Sequence, residues 1–263
     1  MVVGLYQYRG FIWQRAVADL RHRYAGTSLG VVWNVLHPLA MIGLYSLIFS
    51  ALMPARLPGV SERFGYVLYL CSGFLPWLAF SECITRGASA FLDNAPYLRK
   101  LPMPEQVFVA QTAAAATLGL CISFSLLLAI SLALGHRPTI YWLLLPLPLV
   151  LLQASGFAIG LLLGTLNVFF RDVGQLLQIG LQVLFWTVPI VWNPDGLRLS
   201  AGVVTALHWH PLVPMFEGIR ALFLHGRVPP ASDWALMVAW PSVLLLVAYA
   251  AFRALKTEIR DLL

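Results

Sequence analysis

Six long stretches of this sequence contain no Asp, Glu, Lys or Arg: residues 24–55, 64–81, 106–136, 138–170, 173–194 and 234–252. A helix needs about 20 apolar residues to cross the hydrocarbon core of a bilayer, and a charge near its centre is costly. With the shortest stretch at 18 residues and the longest at 33, the chain has material for six crossings. The fold class predicted is all-α integral membrane, with six transmembrane helices. Charged residues make up 11% of the sequence, against about 25% in a soluble domain. Six spans and short connections use up nearly all 263 residues, so one membrane domain over 1–263 is expected. The net charge of +6 does not mark a nucleic-acid binder, because the basic residues lie at span ends. Cys71, Cys83 and Cys121 lie in or beside spans without paired spacing and read as buried thiols. Arg9 and Arg15 interrupt any signal-peptide core.

The basic residues set the orientation. With both termini inside, the cytoplasmic pieces hold eleven: Arg9, Arg15, Arg21, Arg23, Arg86, Arg99, Lys100, Arg171, Arg253, Lys256 and Arg260. The outer pieces hold six: Arg56, Arg63, Arg137, Arg198, Arg220 and Arg227. Residues 199–216 are also charge-free, but Ser200, Thr205, His208, His210, Pro211 and Pro214 suit a lipid-facing span poorly. Residues 195–232 are therefore expected to dip into the membrane from the outer face and return, under cover of protein or a wet cavity.

Helical spacing ahead of the first span puts Trp13, Ala16, Val17, Leu20 and Tyr24 on one face, with Gln14, Arg15, Asp19, Arg21 and His22 opposite. This predicts a helix over 13–24 lying in the membrane interface. Its basic side reads either as a topology-setting flank or as a surface for an anionic headgroup or partner subunit. Between the second and third spans a short helix is expected from Ile84 to about Asn94, ended by Pro96. Glu82 and Arg86, four apart, are placed to pair. This connection reads as a charged loop or as a docking element that sets Tyr97 and Leu98 beside Arg99 and Lys100.

Absences narrow the chemistry. A phosphate-binding loop needs a Gly-Lys-Ser/Thr run, and the only lysines, Lys100 and Lys256, lie in no such run. The chain is thus not expected to hydrolyse ATP. Apart from His37, no span interior holds an acid or base of the kind that carries a coupling ion. A membrane enzyme acting on polyprenyl-linked sugars is the competing class, but the eleven acids are scattered. Glu217 and Arg220, three apart, are expected to pair with each other, and His208 with His210 lacks a third metal ligand.

Three spans carry polar or aromatic stripes. Gln175, Gln178, Gln182, Trp186 and Asn193 align on the fifth; Tyr66, Tyr69, Gly73, Trp77 and Phe80 on the second; Asn34, His37, Met41 and Tyr45 on the first. Amides bond sugar hydroxyls and rings stack on sugar C–H faces, so the stripes read as a polar path. Each also reads as interhelical glue.

Several runs bear a resemblance in order along the chain. Residues 21–30 (RHRYAGTSLG), then Trp33-Asn34 and His37-Pro38, form the first. Residues 98–105 (LRKLPMPE), 167–173 (NVFFRDV), 185–190 (FWTVPI) and His210-Pro211-Leu212 follow. Together they resemble the permeases of polysaccharide-exporting ABC transporters, type-2 exporters of O-antigen, capsule or teichoic acid chains. The resemblance implies six spans with both termini inside and re-entrant outer helices. It also implies a second copy of the chain and two separate ATPase subunits, which bind ATP and magnesium while this chain holds no cofactor. Tyr97, Leu98, Arg99 and Lys100 would form a coupling helix within 84–101, with Arg171 and Asp172 as a second ATPase contact. Arg15, Arg21 and Arg23 would meet the diphosphate of an undecaprenyl-linked glycan. The expected function is export of such a glycan, O-antigen first, across a bacterial inner membrane. The runners-up are another amphiphile exporter and the polyprenyl-sugar enzyme.

Overall fold

The computed structural model describes residues 2–23, 26–52, 65–100, 103–194 and 200–262. Tyr24 of the interface face, Arg56 and Arg63 of the first outer loop, Leu101 and Pro102 of the 98–105 run, and Arg198 lie outside the described residues, as does the side chain of Arg99. The order is α1 (Val2–Gln7), α2 (Arg9–His22), a turn of 3-10 helix (Gly30–Val32), α3 (Trp33–Leu52), α4 (Gly65–Asp93), α5 (Ala95–Lys100) and α6 (Gln106–Ala133). A second 3-10 segment (Ile140–Leu144) leads to α7 (Pro146–Phe169), α8 (Val173–Thr187), α9 (Ala201–Trp209), α10 (Val213–Phe223) and α11 (Ala231–Leu262). The described residues are all-helical, without a strand.

Among the described residues, four helices are long and apolar enough to cross a membrane: α4, α6, the segment Ile140–Phe169, and α11 over Ala231–Ile259. The first and fifth charge-free stretches give shorter apolar helices over Gly30–Tyr45 and Val173–Thr187. The fifth stops early for a local reason. Pro189 lacks an N–H and disfavours helical geometry in its predecessor, and Val188 is extended at φ −81°, ψ 134°. The 15 residues of α8 therefore reach about 22 Å, short of the roughly 30 Å hydrocarbon core.

The core is the contact of α4 with α7, the most extensive in the molecule. It is a seam of small residues. A Cβ on Gly87 would lie 2.8 Å from Gly160 Cα, and one on Gly164 would lie 2.6 Å from Gly87 O. Such approach lets backbones meet where lipid gives no hydrophobic drive for association. Asn167 Nδ2 ties the end of the seam to Ala88 O at 2.9 Å. Of the four long helices, α4 has the lowest mean hydropathy and is the most buried, because protein rather than lipid surrounds it.

Three expectations are corrected. No separate helix starts at Ile84: α4 continues unbroken to Asp93. The Glu82–Arg86 pair forms at 3.1 Å and Ser89 Oγ donates to Asp93 Oδ2 at 2.6 Å, so the helix is supported through its charged end. Asn94 Nδ2 then bonds Ala90 O at 2.8 Å, and α5 starts at the next residue. The helix expected over 13–24 is α2 and runs Arg9–His22. Its faces also differ, because buried Ala16 lets it approach α6, Trp13 is exposed, and Asp19 turns towards α4. Cys71 and Cys83 are buried, but Cys121 is exposed beside Thr117 and Phe124 on α6.

Candidate transport path

α8 buries only Leu177 and Leu181 and leaves its amide edge uncovered. That edge faces an open cavity of about 650 Å³ bounded by α3, α4, α6 and α8. Asn34 and His37 enter it from α3, Trp77, Ser81 and Glu82 from α4, Ser123 from α6, and Gln178 and Gln182 from α8. Pro38, inside α3, packs into the same wall and is buried. Aromatic rings connect three of these helices. Tyr45 meets Phe74 edge-on at 4.9 Å, Phe74 meets Phe185 at 6.3 Å, Phe185 meets Trp77 at 5.6 Å and Trp77 meets Phe80 at 5.7 Å. Such spacings suit edge-to-face packing. The cavity thus combines amide and hydroxyl groups with ring surfaces, the chemistry that holds a carbohydrate.

One end of the cavity is charged. Arg86 grips Asp19 with two 2.7 Å hydrogen bonds and donates to Glu82 at 3.1 Å. Arg23 also bonds Glu82 and lies 3.5 Å from Asp19. Burial pushes the Asp19 carboxyl up, but its hydrogen bonds and charge interactions with Arg86, then Arg23, outweigh this and hold it below 3.8. The four-membered network separates the large cavity, which Arg23 and Glu82 line, from a smaller one of about 210 Å³ lined by Arg15, Asp19, His22, Arg86 and Gln111.

The other expected site residues fall elsewhere. Tyr45 and Gln175 do not line the cavity: Tyr45 packs on Phe74 and Gln175 is exposed, and Trp186 is exposed with its ring against Phe185. Tyr66 and Tyr69 do not reach the cavity: their hydroxyls donate to Val191 O at 2.7 Å and Trp192 O at 3.0 Å. Of the basic trio, Arg23 lies at the cavity mouth, Arg21 is on open surface, and Arg15 lies 5.3 Å over the Tyr97 ring. On α5, Tyr97 and Lys100 are exposed while Leu98 is buried in a cluster with Phe91, Phe108, Phe252 and Ile259. Arg171 and Asp172 are exposed at the turn into α8. Glu217 and Arg220 pair at 2.9 Å. His208 approaches Asp233 at 3.9 Å and His210 Nδ1 accepts from Leu212 N. Among the described residues, no three His, Cys, Asp or Glu side chains gather as a metal site needs.

The profile of the ABC-2 type transporter membrane family matches residues 11–224, from α2 through α10. The chain belongs to the ABC-2 type transporter family. It is a multi-pass membrane protein of that family, and the relatives it matches are named for export or transport. The chain is 27% identical over 261 residues to O-antigen export system permease protein RfbA of Myxococcus xanthus, across 99% of this chain and 98% of that one. A protein of the same name from Klebsiella pneumoniae is 26% identical over 93% of this chain and 92% of its own length. Polysialic acid transport protein KpsM of Escherichia coli is 22% identical over 89% of each chain. This ABC-2 member thus aligns end to end with permeases named for polysaccharide transport.

Proposed function

We propose that this chain is the membrane permease subunit of an ATP-driven exporter that carries a lipid-linked polysaccharide, of the O-antigen class, out of the cytoplasm across a bacterial inner membrane. The observation that carries this reading is the cavity, where amides of α3 and α8 stand opposite the ring wall of α4. Its amides and rings suit a glycan strand, and its open side suggests closure by a second copy of the chain. Arg23, at the mouth of the cavity, offers a cation to the diphosphate of an undecaprenyl carrier, with Arg15 and Arg21 on α2, the helix that it caps. On this reading the termini are cytoplasmic, α3 and α8 complete six spans, and α9 and α10 form the re-entrant outer structure. Exposed Tyr97, Lys100, Arg171 and Asp172 then face two ATPase subunits, which supply ATP and magnesium.

The test is genetic and biochemical. Cells lacking the chain should lose surface polysaccharide and accumulate it inside. The purified chain should turn over no ATP until a separate nucleotide-binding subunit joins it. Unchanged surface polysaccharide in the deletion strain, or ATP turnover by the isolated chain, would refute the reading.

A further inference from the structure

The backbone beyond α8 poses a problem that the fold answers with one buried cation. A helix broken at Val188 leaves carbonyls without i+4 partners, and an unpaired carbonyl away from water is costly. Four consecutive carbonyls are bonded by side chains. Arg220 Nη1 donates to Pro189 O at 2.5 Å and Nη2 to Ile190 O at 3.0 Å. Tyr66 takes Val191 O and Tyr69 takes Trp192 O. The Arg220 side chain is 0% exposed, and its guanidinium lies 3.7 Å over the Tyr69 ring. Gly73 makes room for it: a Cβ there would lie 2.7 Å from Arg220 Nη2. Glu217, partly exposed, supplies the countercharge at 2.9 Å.

We propose that Arg220 is a positioning residue for export: with Tyr66 and Tyr69 it fixes the turn in which α8 ends, and so sets the shape of the far end of the transport path. The word export rests on the function proposed above; the turn itself does not. A substrate-contacting role for the three side chains is disfavoured, because Arg220 is fully enclosed and both tyrosine hydroxyls already hold backbone. Bulk burial alone does not account for an arginine either. Replacing a buried charge by an apolar side chain of similar volume is often neutral or stabilising, but no apolar side chain can donate to two adjacent carbonyls. The planar fork of guanidinium does so from one position, and the single ammonium of lysine does not.

The experiment places a reporter cysteine at Ile190, which is fully buried, in a Cys121→Ser background. Intact cells are treated with a membrane-impermeant maleimide, and surface polysaccharide and membrane abundance are read in the same cultures. Tyr66→Phe with Tyr69→Phe removes two of the four bonds and keeps both rings; Arg220→Lys keeps the charge. The expected result is several-fold higher labelling at 190 and a parallel loss of surface polysaccharide at unchanged abundance, larger for Arg220→Lys. A second reporter at Leu145, buried in a cluster with Leu222 and Phe223 at the outer end of α7, should stay unlabelled, which separates local release from unfolding. If Arg220→Lys does not accumulate, the tyrosine pair decides. Unchanged labelling in variants that accumulate would overturn the proposal, and so would raised labelling with full export. Failure of the function itself would appear separately, as surface polysaccharide that persists without the chain while labelling still responds.

Discussion

At the scale of single residues, the cavity separates side chains held by the protein from side chains left available. Asn34 is partly engaged, its Nδ2 donating to Leu20 O at 3.0 Å, whereas Gln178 and Gln182 reach the cavity from an exposed edge. Gln182→Ala should therefore cut surface polysaccharide while changing stability by no more than about 0.5 kcal/mol, measured as membrane abundance beside glycan output. Ile179→Ala, exposed on another side of α8, is the comparison; Leu177 is a poor one because it lies in the packing edge. Export loss that merely tracks protein loss would return the glutamines to a packing role. Asp19 gives a pH test. Its folded value lies below 3.8, so its contribution is complete above that value and fades as pH falls through the lower one. Thermal unfolding of the purified protein should weaken on the acid side by less in Asp19→Asn than in the parent. The amides and His37 were legible in the sequence because polar groups in charge-free spans stand out. Phe74, Phe185 and Ser123 were not, since a ring or hydroxyl in an apolar helix carries no mark of which side it faces. The partners of Tyr66 and Tyr69 are backbone atoms more than a hundred residues away, which no side-chain pattern announces.

At the scale of elements, the α4–α7 seam is the least forgiving contact. Gly160→Leu should push the helices apart and destabilise by about 1–3 kcal/mol, visible as lost membrane abundance and a lowered unfolding midpoint. Gly43→Ala, with nothing within 4 Å of its Cβ position, should leave both unchanged. Equal behaviour of the two variants would mean that the seam does not limit stability. Gly156, Gly160 and Gly164 recur every four residues along one face of α7, and their partner Gly87 shows only in the fold. The end of α8 was not legible: the stripe carries the fifth helix on to Asn193, whereas it stops at Thr187 ahead of Pro189, which forbids the helix to continue. Nor was the extent of α4. Its charged end resembles a loop until Arg86 is seen gripping Asp19, 67 residues away, which supports helix where composition suggests none.

At the scale of the whole molecule, sidedness is the expectation to test. Cysteines placed at Arg99 and Arg227, in the Cys121→Ser background, should react differently with an impermeant thiol reagent on intact cells: 227 labelled, 99 protected. Strong labelling at 99 would reverse the orientation. The unbroken course of α4 has a mechanical consequence. Its 29 residues make a rod of about 44 Å, with Tyr66 and Tyr69 gripping the turn beyond α8 near one end and α5 seated just past the other. Under the proposed function, a stroke delivered at α5 would travel along that rod to the far turn, and Pro76, inside the helix, is where proline would let some of that travel be lost.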